Sequence, residues 1–150
     1  MAASGERQTW ESLWAAERAK YLAWFFRLVG GVTLLAFAAA LMPSSWFVAI
    51  TSELRLESFP EHPLAFYLAR HLSALYGCVG VLLLIIASDI QRFGPVVRPL
   101  GWGTMAFGVL QLVIGAWSAM PWYWTLYEGP STVLGGVLIL VLARWCRRQD

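Results

Sequence analysis

Four long blocks of apolar residues, almost free of charge, alternate with short polar segments along the chain. They run from about Tyr21 to Met42, Leu64 to Ser88, Leu100 to Met120 and Ser131 to Trp145. An α-helix needs about 20 predominantly apolar residues to cross the hydrocarbon core of a bilayer. The pattern therefore predicts an all-α fold, a four-transmembrane-helix bundle that forms a single membrane domain over residues 1–150. The fourth block is the shortest, and it reaches membrane length only with tilt or local thinning of the bilayer.

The segment that precedes the first block has a different pattern. Between residues 9 and 20, apolar side chains such as Trp10 and Trp14 recur at helical spacing among charged ones. We expect an N-terminal interfacial amphipathic helix that lies in the plane of the membrane surface and continues into the first span. A cleaved secretory signal peptide is the alternative, but the long mixed-charge lead argues against it.

Three loops separate the predicted spans. The first, Pro43 to Pro63, contains a short apolar run followed by charged residues, which favours an interfacial turn or short helix. The second, Asp89 to Pro99, is predicted to be a tight polar turn. The third, Pro121 to Pro130, is rich in tryptophan and tyrosine, as expected for a loop whose rings lie at the level of the lipid headgroups.

Composition and charge support a membrane protein and indicate its orientation. The chain is 59% hydrophobic and 13% charged, whereas a soluble domain carries about 25% charged residues. The net charge is only +2, and the basic residues flank the apolar blocks, so we expect no nucleic-acid binding. Because these residues concentrate in the N-terminal lead, the second loop and the tail, we expect both termini in the cytoplasm. The location that we expect is the bacterial inner membrane.

Small residues recur regularly in the second and third spans. The regular positions are Ala65, Ala69, Ser73 and Gly77, every fourth residue, and Gly101, Gly108 and Gly115, every seventh. Such strips allow helix backbones to approach closely in a membrane. We expect them to assemble the bundle or a homodimer, and a substrate groove beside them is the alternative.

Two charged residues are placed where a membrane makes charge costly. Arg70 lies inside the second span and Glu128 immediately before the predicted fourth span, so we expect an ion pair between them. The positive end of the helix macrodipole would also favour Glu128 there. The alternative is a small-molecule pocket with these charges as its polar floor and with aromatic walls from Trp122, Trp124 and Tyr127.

Histidines and cysteines add little chemistry to this pattern. His71 follows Arg70 on an adjacent helix face and is either a proton donor or acceptor in the pocket or a hydrogen-bonded structural residue. His62 adjoins Glu61 in the first loop, but neither histidine belongs to a convincing set of cysteines or carboxylates, so we expect no metal site. A complete catalytic motif is also absent from the sequence, and we assign no catalytic residue.

The stretch from Tyr67 to Arg144 resembles a known family of membrane proteins. The resemblance rests on the segment YLARHLSALYG in the second span, the Asp89 that closes this span, the glycine-rich third span and the segment MPWYWTLYEGP before the fourth span. Together they resemble the small four-helix integral membrane proteins of the DoxX-like superfamily, including BphX-like proteins. The resemblance implies a four-helix bundle, and some relatives are subunits of quinone-linked oxidoreductases or accessories to redox systems. The N-terminal lead and first loop fall outside the resemblance.

Two functional hypotheses follow from the sequence. The first is a non-catalytic accessory or assembly subunit that binds partners in the bilayer, as a homo-oligomer or within a larger membrane complex. The second is a quinone- or lipid-binding subunit of a membrane oxidoreductase, with Arg70, His71 and Glu128 at the polar end of an outer-side pocket. Transport is a weaker third hypothesis, because four short spans would need oligomerisation to form a pathway.

Overall fold

The computed structural model describes the backbone of residues 3–54, 60, 62–118 and 120–147, and the side chains from Glu17 onward within those ranges except Arg18 and Arg147. The described residues form six α-helices and no strand. The helices are α1 (Ala3–Leu34), α2 (Ala36–Ala40), α3 (Ser44–Glu53), α4 (Pro63–Ser88), α5 (Gly94–Trp117) and α6 (Trp122–Arg147).

Four helical segments are long and apolar enough to cross a membrane. They are Ala19–Ala40, Pro63–Ser88, Gly94–Trp117 and Trp122–Cys146, with 22, 26, 24 and 25 residues. At a rise of about 1.5 Å per residue, each is longer than the roughly 30 Å of a hydrocarbon core. The all-α fold class with four membrane-length helices is therefore confirmed.

The N-terminal lead is helical, and the described part of the first loop contains one helix. Residues 9–20 belong to α1, which continues without a break into the first span, as predicted. The side chains of residues 3–16 lie outside the described part, and the position of this segment in the membrane interface stays a prediction. The first loop contains the short helix α3, as predicted, and its charged residues at 55, 57 and 61 also lie outside the described residues.

The predicted limits of the third and fourth spans are wrong. Helix α5 begins at Gly94 instead of Leu100, with Pro99 inside it, so the polar turn is shorter than expected. The aromatic segment predicted as a loop is the start of α6, which continues through Pro130. The fourth span is therefore not short.

Helix α6 continues through Pro130, and two side-chain hydrogen bonds lie next to it. The hydroxyl groups of Ser131 and Thr132 donate to the carbonyl oxygen of Glu128, at 2.9 and 3.0 Å. Proline removes a backbone donor and usually ends a helix. In a helix the carbonyl group that loses its donor to Pro130 is that of Leu126, four residues earlier. Membrane helices nevertheless tolerate prolines inside them. The sequence pattern treated Pro130 as a boundary and so placed the helix start nine residues too late.

The chain folds as two compact units, and each is described by itself. One comprises Phe25–Ser88, and the other comprises Met1–Trp24 together with Asp89–Asp150. The prediction of a single membrane domain stays a prediction.

In the unit Phe25–Ser88, α4 packs antiparallel against the end of α1 and against α2. A Cβ atom on Gly80 would lie 2.8 Å from the carbonyl oxygen of Gly30 and 2.6 Å from the backbone nitrogen of Leu34. A Cβ on Gly77 would lie 2.5 Å from the Phe37 ring. Glycine at these positions lets the backbones touch. Gly77 belongs to the predicted strip of small residues, whereas Gly30 and Gly80 were not singled out from the sequence.

In the other unit, α5 and α6 form an antiparallel pair whose glycines face each other. A Cβ on Gly108 would lie 2.9 Å from the carbonyl oxygen of Gly129, and one on Gly136 would lie 2.8 Å from that of Gly101. A Cβ on Gly115 would lie 2.8 Å from Thr125 Oγ1. The glycine strip predicted in the third span is thus confirmed as a helix contact, and α6 supplies matching glycines seven residues apart.

Candidate functional site

The most polar contact inside the α5–α6 pair is centred on Glu128. Its Oε1 accepts a hydrogen bond from Gln111 Nε2 at 3.0 Å, and its Oε2 accepts one from Trp124 Nε1 at 2.9 Å. Trp124 lies one turn before Glu128 on α6, which places their side chains on the same face. Gln111 reaches across from α5. Both carboxylate oxygens therefore have a donor, and the Gln111 bond ties the two helices together.

This contact lies within the membrane-length part of both helices. Gln111 is six residues before Trp117, and Glu128 is six residues after Trp122, so both are about 9 Å from the helix ends that face the α5–α6 connection. For a centred span, roughly 3 Å of each helix end would extend beyond the hydrocarbon core. Glu128 then lies about 6 Å inside the core. A carboxylate at that depth is costly unless it is hydrogen-bonded.

Two further polar atoms are buried beside this carboxylate. Gln111 Oε1 and Thr125 Oγ1 have no hydrogen-bond partner within the described part of the chain. Thr125 lies about one turn from Glu128 on α6 and packs against Gly115. An amide oxygen accepts hydrogen bonds, and a hydroxyl group donates and accepts them. We call Gln111, Trp124, Thr125 and Glu128 the Glu128 cluster, because together they form a polar site in an otherwise apolar helix pair.

Arg70 is bound within the other unit. Its Nη2 donates to the carbonyl oxygen of Met42 and to Ser44 Oγ, at 3.2 Å each. Met42 lies just after the end of α2, and Ser44 is the first residue of α3, so Arg70 holds both sides of the turn at Pro43. Positively charged side chains stabilise unpaired carbonyl groups at helix C-termini. Arg70 therefore has a structural role within its own unit.

The predicted ion pair between Arg70 and Glu128 would join the two units, and it stays a prediction. The expectation that the helix macrodipole stabilises the Glu128 carboxylate is wrong, however. Glu128 is the seventh residue of α6, beyond the first turn, where the effect of the macrodipole falls off.

The other predicted site residues are mostly exposed. The His71 ring contacts that of Tyr67 in a tilted arrangement with their centroids 4.5 Å apart, and both side chains are exposed. Trp122 and Tyr127 are 75% and 80% exposed. Of the three predicted aromatic walls, Trp124 donates a hydrogen bond to Glu128.

Sequence reasoning missed Gln111, Thr125 and the partners of Arg70. The signal for Gln111 was present, since it is an amide in the middle of a charge-free block. The Met42 carbonyl had no signal, because any residue supplies a backbone carbonyl.

Neither a metal cluster nor a relative defines the site further. In the ranges that the structure describes, no group of three or more histidine, cysteine, aspartate or glutamate residues could hold a metal ion. Comparisons with family models, with curated proteins and with solved structures gave no match to the chain.

Proposed function

We propose that the protein is a non-catalytic accessory or assembly subunit of a membrane complex. One observation carries this proposal: the charged side chains of Arg70 and Glu128, which lie within membrane-length helices, are each bonded to a neighbouring helical segment of their own unit. Arg70 holds the turn between α2 and α3, and Glu128 is held between α5 and α6. These charges stabilise helix packing in the apolar medium.

The outer surface of the α5–α6 pair supports partner binding. A Cβ atom on Gly103 or on Gly135 would have nothing within 4 Å, in contrast to the glycines at the contact between the helices. Membrane helices associate through small residues that let their backbones approach. Gly103 and Gly135 therefore leave two places where a helix of another subunit can pack.

We further propose that the protein is a DoxX-like protein of the bacterial inner membrane, with both termini in the cytoplasm. The residues of YLARHLSALYG and MPWYWTLYEGP support the family, and the positions of the basic residues support the orientation.

Purification of the tagged protein from its native membrane in a mild detergent tests the accessory function. We expect a partner protein to co-purify with the wild type and to be lost when Gly103→Leu and Gly135→Leu are combined. Ala116→Leu is the matched control, because Ala116 is exposed on α5 about 140° around the helix from Gly103. An isolated monomer without a co-purifying protein would contradict the proposal.

A second candidate function is a quinone- or lipid-binding subunit of a membrane oxidoreductase. The unpartnered Gln111 Oε1 and Thr125 Oγ1 favour it, because each is a buried polar atom to which a polar group of a bound molecule would supply a partner. Native mass spectrometry of the wild type should then show a retained lipid-soluble molecule, and Gln111→Leu should lose it while remaining folded. Retention of the same molecule by Gln111→Leu would exclude the Glu128 cluster as its site.

A further inference from the structure

Arg70 uses only part of its hydrogen-bonding capacity within its unit. A guanidinium group has five N–H donors and stays charged in proteins. The two hydrogen bonds of Arg70 both come from Nη2, and Nε and Nη1 have no partner among the described residues. The side chain is half-buried, so it is also partly accessible. Three donors and a positive charge thus remain for another group.

The position of Arg70 along α4 indicates where that group lies. Arg70 is the eighth residue of this 26-residue helix, which places its Cα about 10 Å from the helix start and roughly 6 Å inside a centred hydrocarbon core. The Cα–Cβ bonds of a helix tilt toward its N-terminus. The Arg70 side chain therefore points toward the nearer membrane surface. A long basic side chain at this depth can reach the lipid headgroups.

We propose that Arg70 and Ser44 bind the phosphate group of a phospholipid in the leaflet where α4 begins. Guanidinium groups recognise phosphate through charge-assisted hydrogen bonds. Ser44 Oγ accepts a hydrogen bond from Arg70, which leaves its own hydroxyl proton free to be donated to a second phosphate oxygen. The site therefore offers a fixed charge and donors of two kinds.

An apolar track on the same helix favours a lipid over free phosphate. Val81 and Ile85 follow Arg70 by 11 and 15 residues, which places them about 20° and 60° around the helix from it. Their side chains are 40% and 47% exposed. A phospholipid bound at Arg70 can lay an acyl chain along these residues toward the middle of the membrane, whereas inorganic phosphate would gain nothing from them.

Native mass spectrometry of the purified full chain in detergent tests this site with three probes. They are phosphatidylglycerol, diacylglycerol with the same acyl chains, and inorganic phosphate. We expect the wild type to retain phosphatidylglycerol. Diacylglycerol should bind at least 10-fold more weakly, because it lacks the charged phosphate acceptor. Inorganic phosphate should not displace the bound phosphatidylglycerol. Equal binding of the two lipids would overturn the proposal, and displacement by inorganic phosphate would show a site for the free anion instead.

Variants assign the binding to these residues. Arg70→Gln should weaken phosphatidylglycerol retention roughly 10-fold or more, because it removes the charged donors. Arg92→Gln is the matched control, since Arg92 is exposed in the turn between α4 and α5, and it should retain the lipid. Circular dichroism checks folding. If Arg70→Gln fails to fold, Ser44→Ala is measured in its place, and we expect it to retain phosphatidylglycerol several-fold more weakly than the wild type. Wild-type retention by a folded Arg70→Gln, or by Ser44→Ala in its place, would overturn the assignment.

Discussion

Adding one methyl group at Gly108 should separate α5 from α6. A Cβ there would lie 2.7 Å from the backbone nitrogen of Val133, whereas ordinary contacts begin at 3.4 Å. The helices would have to move apart by about 0.7 Å at this point, because a backbone atom cannot rotate away as a side chain can. Overpacking of this kind costs about 1–3 kcal/mol. Gly108→Ala should therefore destabilise the pair through its contact with α6.

Gly103→Ala is the matched control for this substitution. It lies on the same helix, and its Cβ would have nothing within 4 Å. Replacing glycine by alanine in a helix gains about 0.5–1 kcal/mol from backbone entropy, and both variants share this gain. The difference between their free energies of unfolding, about 1–3 kcal/mol, is then the packing cost alone.

The assay is unfolding in detergent micelles with increasing dodecyl sulfate, followed by circular dichroism. We expect Gly103→Ala to be as stable as the wild type or more stable, and Gly108→Ala to unfold at lower dodecyl sulfate. Equal stability of the two variants, within about 0.5 kcal/mol, would show that the backbone contact at Gly108 is absent in the folded protein.

The remaining predictions use the same unfolding assay. Glu128→Leu should lower the free energy of unfolding by about 1–3 kcal/mol, because it leaves the donors Gln111 Nε2 and Trp124 Nε1 without their acceptor. Unchanged stability would show that these two hydrogen bonds do not stabilise the helix pair. Trp124→Phe should lower the free energy of unfolding by about 1–2 kcal/mol, because it keeps an aromatic ring but removes the indole donor to Glu128. A stabilised variant would argue against this hydrogen bond. Phe26→Ala should lower the free energy of unfolding by about 3–5 kcal/mol, because Phe26 is 0% exposed. Leu28→Ala is the control, since Leu28 is 56% exposed, and it should change the free energy of unfolding by less than about 0.5 kcal/mol. Similar losses in the two variants would contradict the burial of Phe26.

Hydropathy was sufficient to predict four membrane-length helices, because the requirement for about 20 apolar residues depends on composition alone. It was insufficient for the ends of α5 and α6. Pro99 and Pro130 look like helix boundaries in a sequence, but the structure keeps both inside helices. Membrane helices tolerate prolines where their surroundings satisfy the freed backbone groups. This depends on local geometry, which a pattern of residue types does not contain.

The candidate site was predicted in part for a similar reason. Glu128 and Arg70 stood out because a charge in an apolar block is costly. Their partners within each unit are an amide, an indole, a hydroxyl group and a backbone carbonyl. The amide of Gln111 could have been noticed, because it lies in a charge-free block. Indole, hydroxyl and backbone carbonyl groups occur throughout the chain, so residue type could not single those out. The contact across α5 and α6 depends on the antiparallel register of the glycines, which became visible only with both helices in place.

Cysteine accessibility tests the four-span arrangement most directly. In a chain carrying Cys78→Ala and Cys146→Ala, one cysteine is introduced at Gln91, Ser52 or Ser118 and labelled with a membrane-impermeant maleimide in vesicles of known orientation. The account predicts that Gln91→Cys reacts only from the cytoplasmic side, and that Ser52→Cys and Ser118→Cys react only from the opposite side. Labelling of Gln91→Cys and Ser118→Cys from the same side would show that α5 does not cross the membrane.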